Sequence, residues 1–274
     1  MDRSLSSLLK RRNFIKNTPH NPMLRVGFLL IVYCYSAVIL GQSVNKDNHR
    51  FIDSLTALLN DHLTHDQVRV DLLNQLGYEY WIVDPKQSEV YGTEALEIAK
   101  LLPYPAGKAF AKRVIGVAHW ARGNLELSFT FLVNAEKDYQ NLGDSLGLAN
   151  SMLNLGMAYF DQGKFKTAKA KYVAALALFE RRSLNSRIAT TYTKLSDLFI
   201  AEGDYEQAYD YLRRALDIHH ADNFLYGIAE VNSKLGKLAT AKEDYHEAIS
   251  YFMMAIQAGG RRNDHVGLAE YFHG

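Results

Sequence analysis

The chain rewrites one pattern at a fixed 40-residue period, and that period constrains the fold more than any single side chain does. Gly123-Asn124-Leu125-Glu126-Leu127-Ser128 returns as Gly163-Lys164-Phe165-Lys166-Thr167-Ala168, then as Gly203-Asp204-Tyr205-Glu206-Gln207-Ala208 and as Glu243-Asp244-Tyr245-His246-Glu247-Ala248. The same ruler fits Gly116, Gly156, Ser196 and Gly236, and the small residues Ala135, Ala175, Ala215 and Ala255. It also fits the segment openers Gly107, Gly147, Gly227 and Gly267, with Arg187 as the one exception. Self-similarity at this length means stacked supersecondary units, each too small to bury its own apolar face.

Within one unit, Ile188, Tyr192, Leu195 and Phe199 recur at helical spacing. Glu202-Gly203-Asp204 ends that helix, with a glycine that tolerates the left-handed region followed by a helix-capping acid. A second helix follows, with Tyr205, Ala208, Leu212, Ala215 and Leu216 on one face. The expected class is all-α, built from antiparallel helix pairs. Gly156 and Ala168 would let paired helices approach closely, while Tyr159 and Tyr172 fill the space between layers.

Met152, Leu155-Gly156, Tyr159, Ala168, Tyr172 and Ala175 together resemble the tetratricopeptide repeat, and Tyr192, Leu195-Ser196, Phe199, Ala208, Leu212 and Ala215 form the next copy. An earlier copy, Leu73, Leu76-Gly77, Tyr80, Ser88 and Ala95, fits with a one-residue slip because Asp84-Pro85 replaces the usual glycine turn. The resemblance covers residues 66–274 as about five repeats, the last one cut off, and implies a right-handed superhelical solenoid. The period exceeds the ordinary repeat of about 34 residues. Because Gly156 to Ala168 and Ala168 to Ala175 keep the family's spacing, the extra residues fall between one unit's second helix and the next unit's first, as longer helices or a longer loop. That is similar to the long-repeat branch found in kinesin light chains, cell-polarity adaptors and bacterial signalling proteins. HEAT and armadillo repeats have comparable periods; Leu155-Gly156 with Tyr159 three residues on argues against them.

Upstream, the stretch from Val26 to Leu40 carries no charge and lies behind Lys10, Arg11, Arg12, Lys16 and Arg25. The run is shorter than the roughly 20 residues of a full span and suits a signal peptide's apolar region. Residues 1–22 read as a basic tail or misassigned start, and 23–42 as a signal peptide or membrane anchor with Gly41-Gln42 as the expected cleavage point. Residues 43–65 read as a linker and N-terminal capping helix, the helix running from Phe51 to Leu63 with Phe51, Leu55, Leu58 and Leu59 on its buried face. Residues 1–25 carry six basic groups and one acid, +5, which leaves −4 for the rest of a chain of net charge +1. Such a charge step favours export of the repeats. The acidic remainder has no basic stripe of the kind nucleic acid requires. The one cysteine, Cys34, lies in the apolar run, so an exported part carries no disulfide.

Signatures of chemistry are missing: the sequence has no phosphate loop, no metal-spaced Cys/His set and no nucleophile elbow. His219-His220-Ala221-Asp222 reads as a solvated helix end, because adjacent histidines on a helix diverge. His119 falls on the repeat position that Tyr159 and Phe199 hold and reads as an ordinary buried or half-buried histidine. Glu243-Asp244 opens a helix, where acids complement the dipole. No catalytic residue, metal or cofactor is expected.

What the family resemblance implies is binding on the concave face, lined by first helices. The residues placed there are Phe110, Arg113, Val117 and Trp120; Asn150, Leu153, Met157 and Phe160; Thr190, Thr193, Asp197 and Ile200; and Glu230, Ser233, Lys237 and Thr240. Trp120, Met157 and Phe160 are the expected anchors, with packing against the neighbouring repeat as the other reading of Trp120 and Phe160. A carboxylate clamp does not carry over, because Val117 and Met157 are apolar. The expected partner is a protein or peptide, with membrane association through the N-terminal segment and self-association through an uncapped C-terminal end. Tyr78-Glu79-Tyr80-Trp81, Asp84-Pro85 and Tyr91 to Leu96 resemble the extracytoplasmic repeat region of Bacteroidetes-type signalling proteins, which precedes a membrane helix and a histidine kinase, nucleotide cyclase or DNA-binding output. A free-standing envelope scaffold, a cytoplasmic peptide-binding regulator and an enzyme on a helical-repeat shell are the other classes.

Overall fold

The computed structural model describes residues 49–262, and the expectations for residues 1–48 and 263–274 lie outside them. Eleven helices make up the described residues. They are α1 (49–61), α2 (Gln67–Val83), α3 (Pro85–Leu101), α4 (Pro105–Ala121), α5 (Leu125–Leu142), α6 (Ser145–Asp161), α7 (Phe165–Arg181), α8 (Asn185–Glu202), α9 (Tyr205–Ala221), α10 (Leu225–Ala241) and α11 (Tyr245–Arg262). Among the described residues no helix is long and apolar enough to cross a membrane. Residues 49–215 and 216–262 form two compact units, each taken by itself below.

The repeat period hides a turn that recurs at half that interval. Positive φ is found at Gly123, Gly143, Gly163, Ser183, Gly203, Asn223 and Glu243. At each of these seven positions the turn residue donates its N–H to the carbonyl three residues back, and the next residue donates to the carbonyl five back: Gly203 to Ile200 and Asp204 to Phe199, Glu243 to Thr240 and Asp244 to Ala239. That is the Schellman closure, which satisfies two orphan carbonyls at a helix end. Four positions are glycine, which enters the left-handed region without the Cβ clash; Ser183, Asn223 and Glu243 enter it at φ 53°, 52° and 62°. Both kinds of inter-helix connection are therefore equally tight, and the residues beyond the ordinary repeat have gone into helices of 17 or 18 residues rather than into a loop. Asp144, Asp204 and Asp244 then cap the following helices, accepting from Gly147, Gln207 and Glu247 N–H.

At the first pair the joint is shorter. Asp84 alone separates α2 from α3: its N–H closes α2 on the Tyr80 carbonyl, its carboxylate accepts from Lys86 and Gln87, and Pro85 starts the next helix. This single-residue joint accounts for the slip in the repeat ruler.

Helix pairing rests on small residues facing large ones 16 positions on. A Cβ at Gly156 would sit 2.5 Å from the Tyr172 ring, one at Gly116 2.7 Å from Leu132 Cγ, and one at Gly236 2.6 Å from the Phe252 ring. Tyr172 and Leu132 are fully buried and Phe252 nearly so. Tyr172 thus fills the space that Gly156 vacates, a tighter relation than separate roles for the two.

In the 49–215 unit, α1 lays Ile52, Leu55 and Leu59 on Leu73, Leu76, Leu96 and Ala111. Leu58 is 56% exposed, so the helix is rotated from the expected face, with Ile52 inward in place of Leu58. Arg69 ties α1 down, donating to the His62 carbonyl at 2.9 Å and to Glu94 at 2.7 Å. In the 216–262 unit, Ala239, Ala248, Ile249 and Phe252 form one apolar seam between α10 and α11, and Ile228, Ala229 and Ala258 another.

Candidate ligand-binding face

The first helices α2, α4, α6 and α8 pack successively side by side in the 49–215 unit. The row curls far enough for side chains on its first and last helices to meet. Arg187 Nη1 on α8 lies 3.3 Å from the hydroxyl of Tyr78 on α2, across a sequence separation of 109 residues. The face carrying the predicted residues therefore turns inward between these two helices.

Around Tyr78 the charged groups have unusual company. The Arg113 guanidinium lies over the Tyr78 ring at 5.0 Å and over the Phe110 ring at 4.6 Å, two cation–π contacts to rings that themselves meet edge to face at 6.4 Å. Arg113 is buried, and its Nε has no hydrogen-bond partner among the described residues. Arg187 is half-buried. Among the described residues neither guanidinium has a carboxylate within ion-pair distance. Arg187 first, then Arg113, holds the Tyr78 phenol below its ordinary pKa against the opposing effect of burial. Glu79, next to Tyr78 in the chain, is buried and accepts from Gln75 Nε2 at 2.8 Å; burial raises its pKa, and Gln75 and Arg187 oppose the rise.

The other predicted residues divide by environment. Asn150 and Leu153 are buried, and Met157 is half-buried. Thr190 and Thr193 spend their hydroxyls on the α8 backbone, at the Ser186 and Ala189 carbonyls. Asp197 is half-buried and, after burial itself, is the charge that most raises the Tyr172 pKa. Val117 packs with Leu132 and Leu155, and the Trp120 ring belongs to that cluster, tilted 5.6 Å from Trp81. Trp120 Nε1 donates to Asp161 at 2.6 Å. Phe160 lies 5.4 Å from Phe165 at the start of α7, and Ile200 is half-buried. The Trp120 and Phe160 rings thus engage neighbouring helices. Glu230, Ser233, Lys237 and Thr240 belong to the 216–262 unit: Ser233 is buried, Lys237 exposed, and Thr240 donates to the Gly236 carbonyl.

Tyr78 and Arg187 were not among the predicted residues. A signal was present for Arg187, the one break in the series Gly107, Gly147, Gly227; Tyr78 had none beyond its place on a first helix.

The histidines belong to packing. His119 is buried, stacked 5.9 Å from Phe131, and burial lowers its pKa despite Glu89 at 3.7 Å. His219 is not part of a solvated helix end: it is 5% exposed, its ring covers Gly227 as the Tyr139 ring covers Gly147, and burial pushes its pKa down to about 4. The repeat register placed it with Tyr139 and Phe179, which the polar look of the His-His-Ala-Asp string concealed. Among the described residues no group of three His, Cys, Asp or Glu side chains could hold a metal ion.

Comparison with known proteins agrees with this architecture. The tetratricopeptide-repeat family model matches residues 109–181, 154–221 and 187–259, together more than half of the chain. No curated protein matches the chain. Among solved structures, a Rap protein complexed with competence and sporulation factor superposes with a TM-score of 0.62 at 15% identity, over 95% of this chain and 83% of that one. BtubC from P. vanneervenii gives 0.60 at 21% identity, over 84% and 95%. The Rap conjugation gene regulator of plasmid pLS20, in complex with the Phr* peptide, gives 0.58 at 15% identity, over 98% and 86%. At these identities the likeness is one of fold.

Proposed function

The chain belongs to the tetratricopeptide-repeat family, and from that premise we propose that it is a non-catalytic binding module that takes a protein or peptide on the first-helix face of the 49–215 unit. The observation that carries this reading is the chemistry of that face. Where the pairing seam repeats small against large, the first-helix face changes at each copy: Arg113, Leu153 and Thr193 share one register, and Val117, Met157 and Asp197 another. Packing alone would hold such positions alike; a surface that recognises a partner varies them. The Rap structures, solved with a factor or peptide bound, give the fold a precedent for such ligands.

The finer setting we propose is the outer side of a membrane, as the input region of a signalling protein. The basic residues before the apolar run of 26–40 support it. A reporter fused after Gly274 should be active outside the cytoplasm; activity confined to the cytoplasm would favour the cytoplasmic regulator. Binding is tested by selecting random dodecapeptides on the full chain. The module predicts an enriched peptide class that binds the parent and loses affinity for Met157→Arg. Failure to enrich, or enrichment indifferent to that substitution, would reject the role assigned to this face.

A further inference from the structure

α2 and α4 are joined tightly. Asn74 Nδ2 on α2 donates to the Gly107 carbonyl on α4 at 3.0 Å, and a Cβ at Gly77 would fall 2.6 Å from Val114. Side-by-side packing along the row of first helices then thins toward α8. Across the row, α2 and α8 form no apolar seam among the described residues. Instead Arg187 Nη1, in the first turn of α8, reaches the Tyr78 hydroxyl, in the second half of α2, at 3.3 Å. That reach is a property of the side chain placed at 187. Three other copies of the repeat carry Gly107, Gly147 and Gly227 there, and a glycine has nothing to extend.

We propose that Arg187 and Tyr78 are a latch between α8 and α2: closed, it keeps the row curled; released, it lets α8 swing outward and widens the opening to the inner face. The latch stands on this geometry alone, and only its effect on ligand entry rests on the binding role proposed above. Two opposing effects keep the states near balance. Closed, the guanidinium bonds an uncharged hydroxyl, which biases the equilibrium by about tenfold. Closed, it is also half-buried with no carboxylate within ion-pair distance among the described residues, so release returns a charge to water. Both states are then populated, which separates a latch from a permanent clasp. The receiving side stays in place. Arg113 lies over the Tyr78 and Phe110 rings, and α2 is fixed to α4, so Tyr78 keeps its position whether or not Arg187 is bonded to it. The motion therefore falls on α8.

The test reads the distance between the two helices by double electron–electron resonance. Spin labels go on Val83→Cys and Asn185→Cys, both exposed, in the full chain with Cys34→Ser removing the one native thiol. The parent should show two distances, the shorter predominating. Tyr78→Phe keeps the ring under Arg113 and removes only the hydroxyl; it should shift the ratio toward the longer distance by about fivefold to tenfold, and Arg187→Gly should do the same. A single distance, unchanged in both variants, would overturn the latch and make the contact incidental. The second readout is the association rate of a dodecapeptide enriched on the parent in the selection above, which Tyr78→Phe should speed severalfold. Unchanged association despite a widened distance would overturn the part of the latch in ligand entry. If no peptide is enriched, the binding role falls, and the distances still decide the latch.

Discussion

The pairing seam and the first-helix face are built from the same helices, yet they treat the repeat ruler in opposite ways. Along the seam, Gly116, Gly156 and Gly236 meet Leu132, Tyr172 and Phe252, small against large each time, and Ser196 with Leu212 keeps the same offset in sequence. Along the face, position 113 and its mates read Arg, Leu, Thr and Ser, and position 117 and its mates read Val, Met, Asp and Lys. Each seam contact is determined by its own pair, so the same solution serves in every unit. The face positions differ in chemistry from copy to copy, even where, as at Val117 and Leu153, they are buried. Regularity in this chain marks packing, and its loss along the first-helix face is what the proposed binding role leads one to expect.

The sharpest way to break that comparison is at the seam. Gly156→Leu places a side chain where even a Cβ falls 2.5 Å from the buried Tyr172 ring. Overpacking of this kind should lower the unfolding free energy by about 3 kcal/mol, read by denaturant titration of the full chain. A variant as stable as the parent would show that the seam tolerates large residues and that its glycines have another cause.

His219 sharpens the comparison from within the 216–262 unit, because it fills a packing position with a titratable ring. Its folded pKa of about 4 lies below the ordinary value of 6.5. The unfolded chain binds the proton first, so stability is full above the unfolded value and falls as pH drops from 6.5 toward 4. The loss between pH 7.5 and pH 5 is on the order of 2 kcal/mol from this one group. His219→Phe, which copies Phe179 one unit earlier, should abolish that part of the acid sensitivity while keeping the ring over Gly227. An unchanged pH profile would place His219 outside the packed seam.

Turns offer a smaller test. Glu243 is held at φ 62° in the place glycine occupies at 123, 163 and 203. Glu243→Gly should therefore raise stability by roughly 1 kcal/mol, a gain readable in thermal melts; a loss would show that the Glu243 side chain contributes more than its strain.

How much of this was legible in the sequence follows from the same distinction. Everything that repeats could be found with a ruler: the helix pairs, the break at Gly203-Asp204 and the close approach at Gly156 all appear where the spacing puts them. The turn at half the period was obscured because Ser183 and Asn223 share a backbone conformation with Gly143 but no side-chain signature. The face of α1 was misjudged at Leu58 because one helix with a single packed side offers no second copy against which to check its phase. Trp120 and Phe160 drew notice for their size, but their rings lie against Trp81 and Phe165. The contact between Tyr78 and Arg187 spans 109 residues and depends on the curvature of a whole row of helices, which no local pattern encodes.

The smallest expected effect is the most direct measurement. Arg187→Gly removes the side chain that departs from the repeat and restores the residue found at 107, 147 and 227. If position 187 has left the ruler for recognition, its replacement gives up one long hydrogen bond to Tyr78 and little packing, a net change of about 1 kcal/mol. The melting temperature of the full chain should then stay within about 4 °C of the parent. A fall of roughly 10 °C or more would make Arg187 a structural residue of the row of first helices, and regularity would no longer separate packing from recognition in this protein.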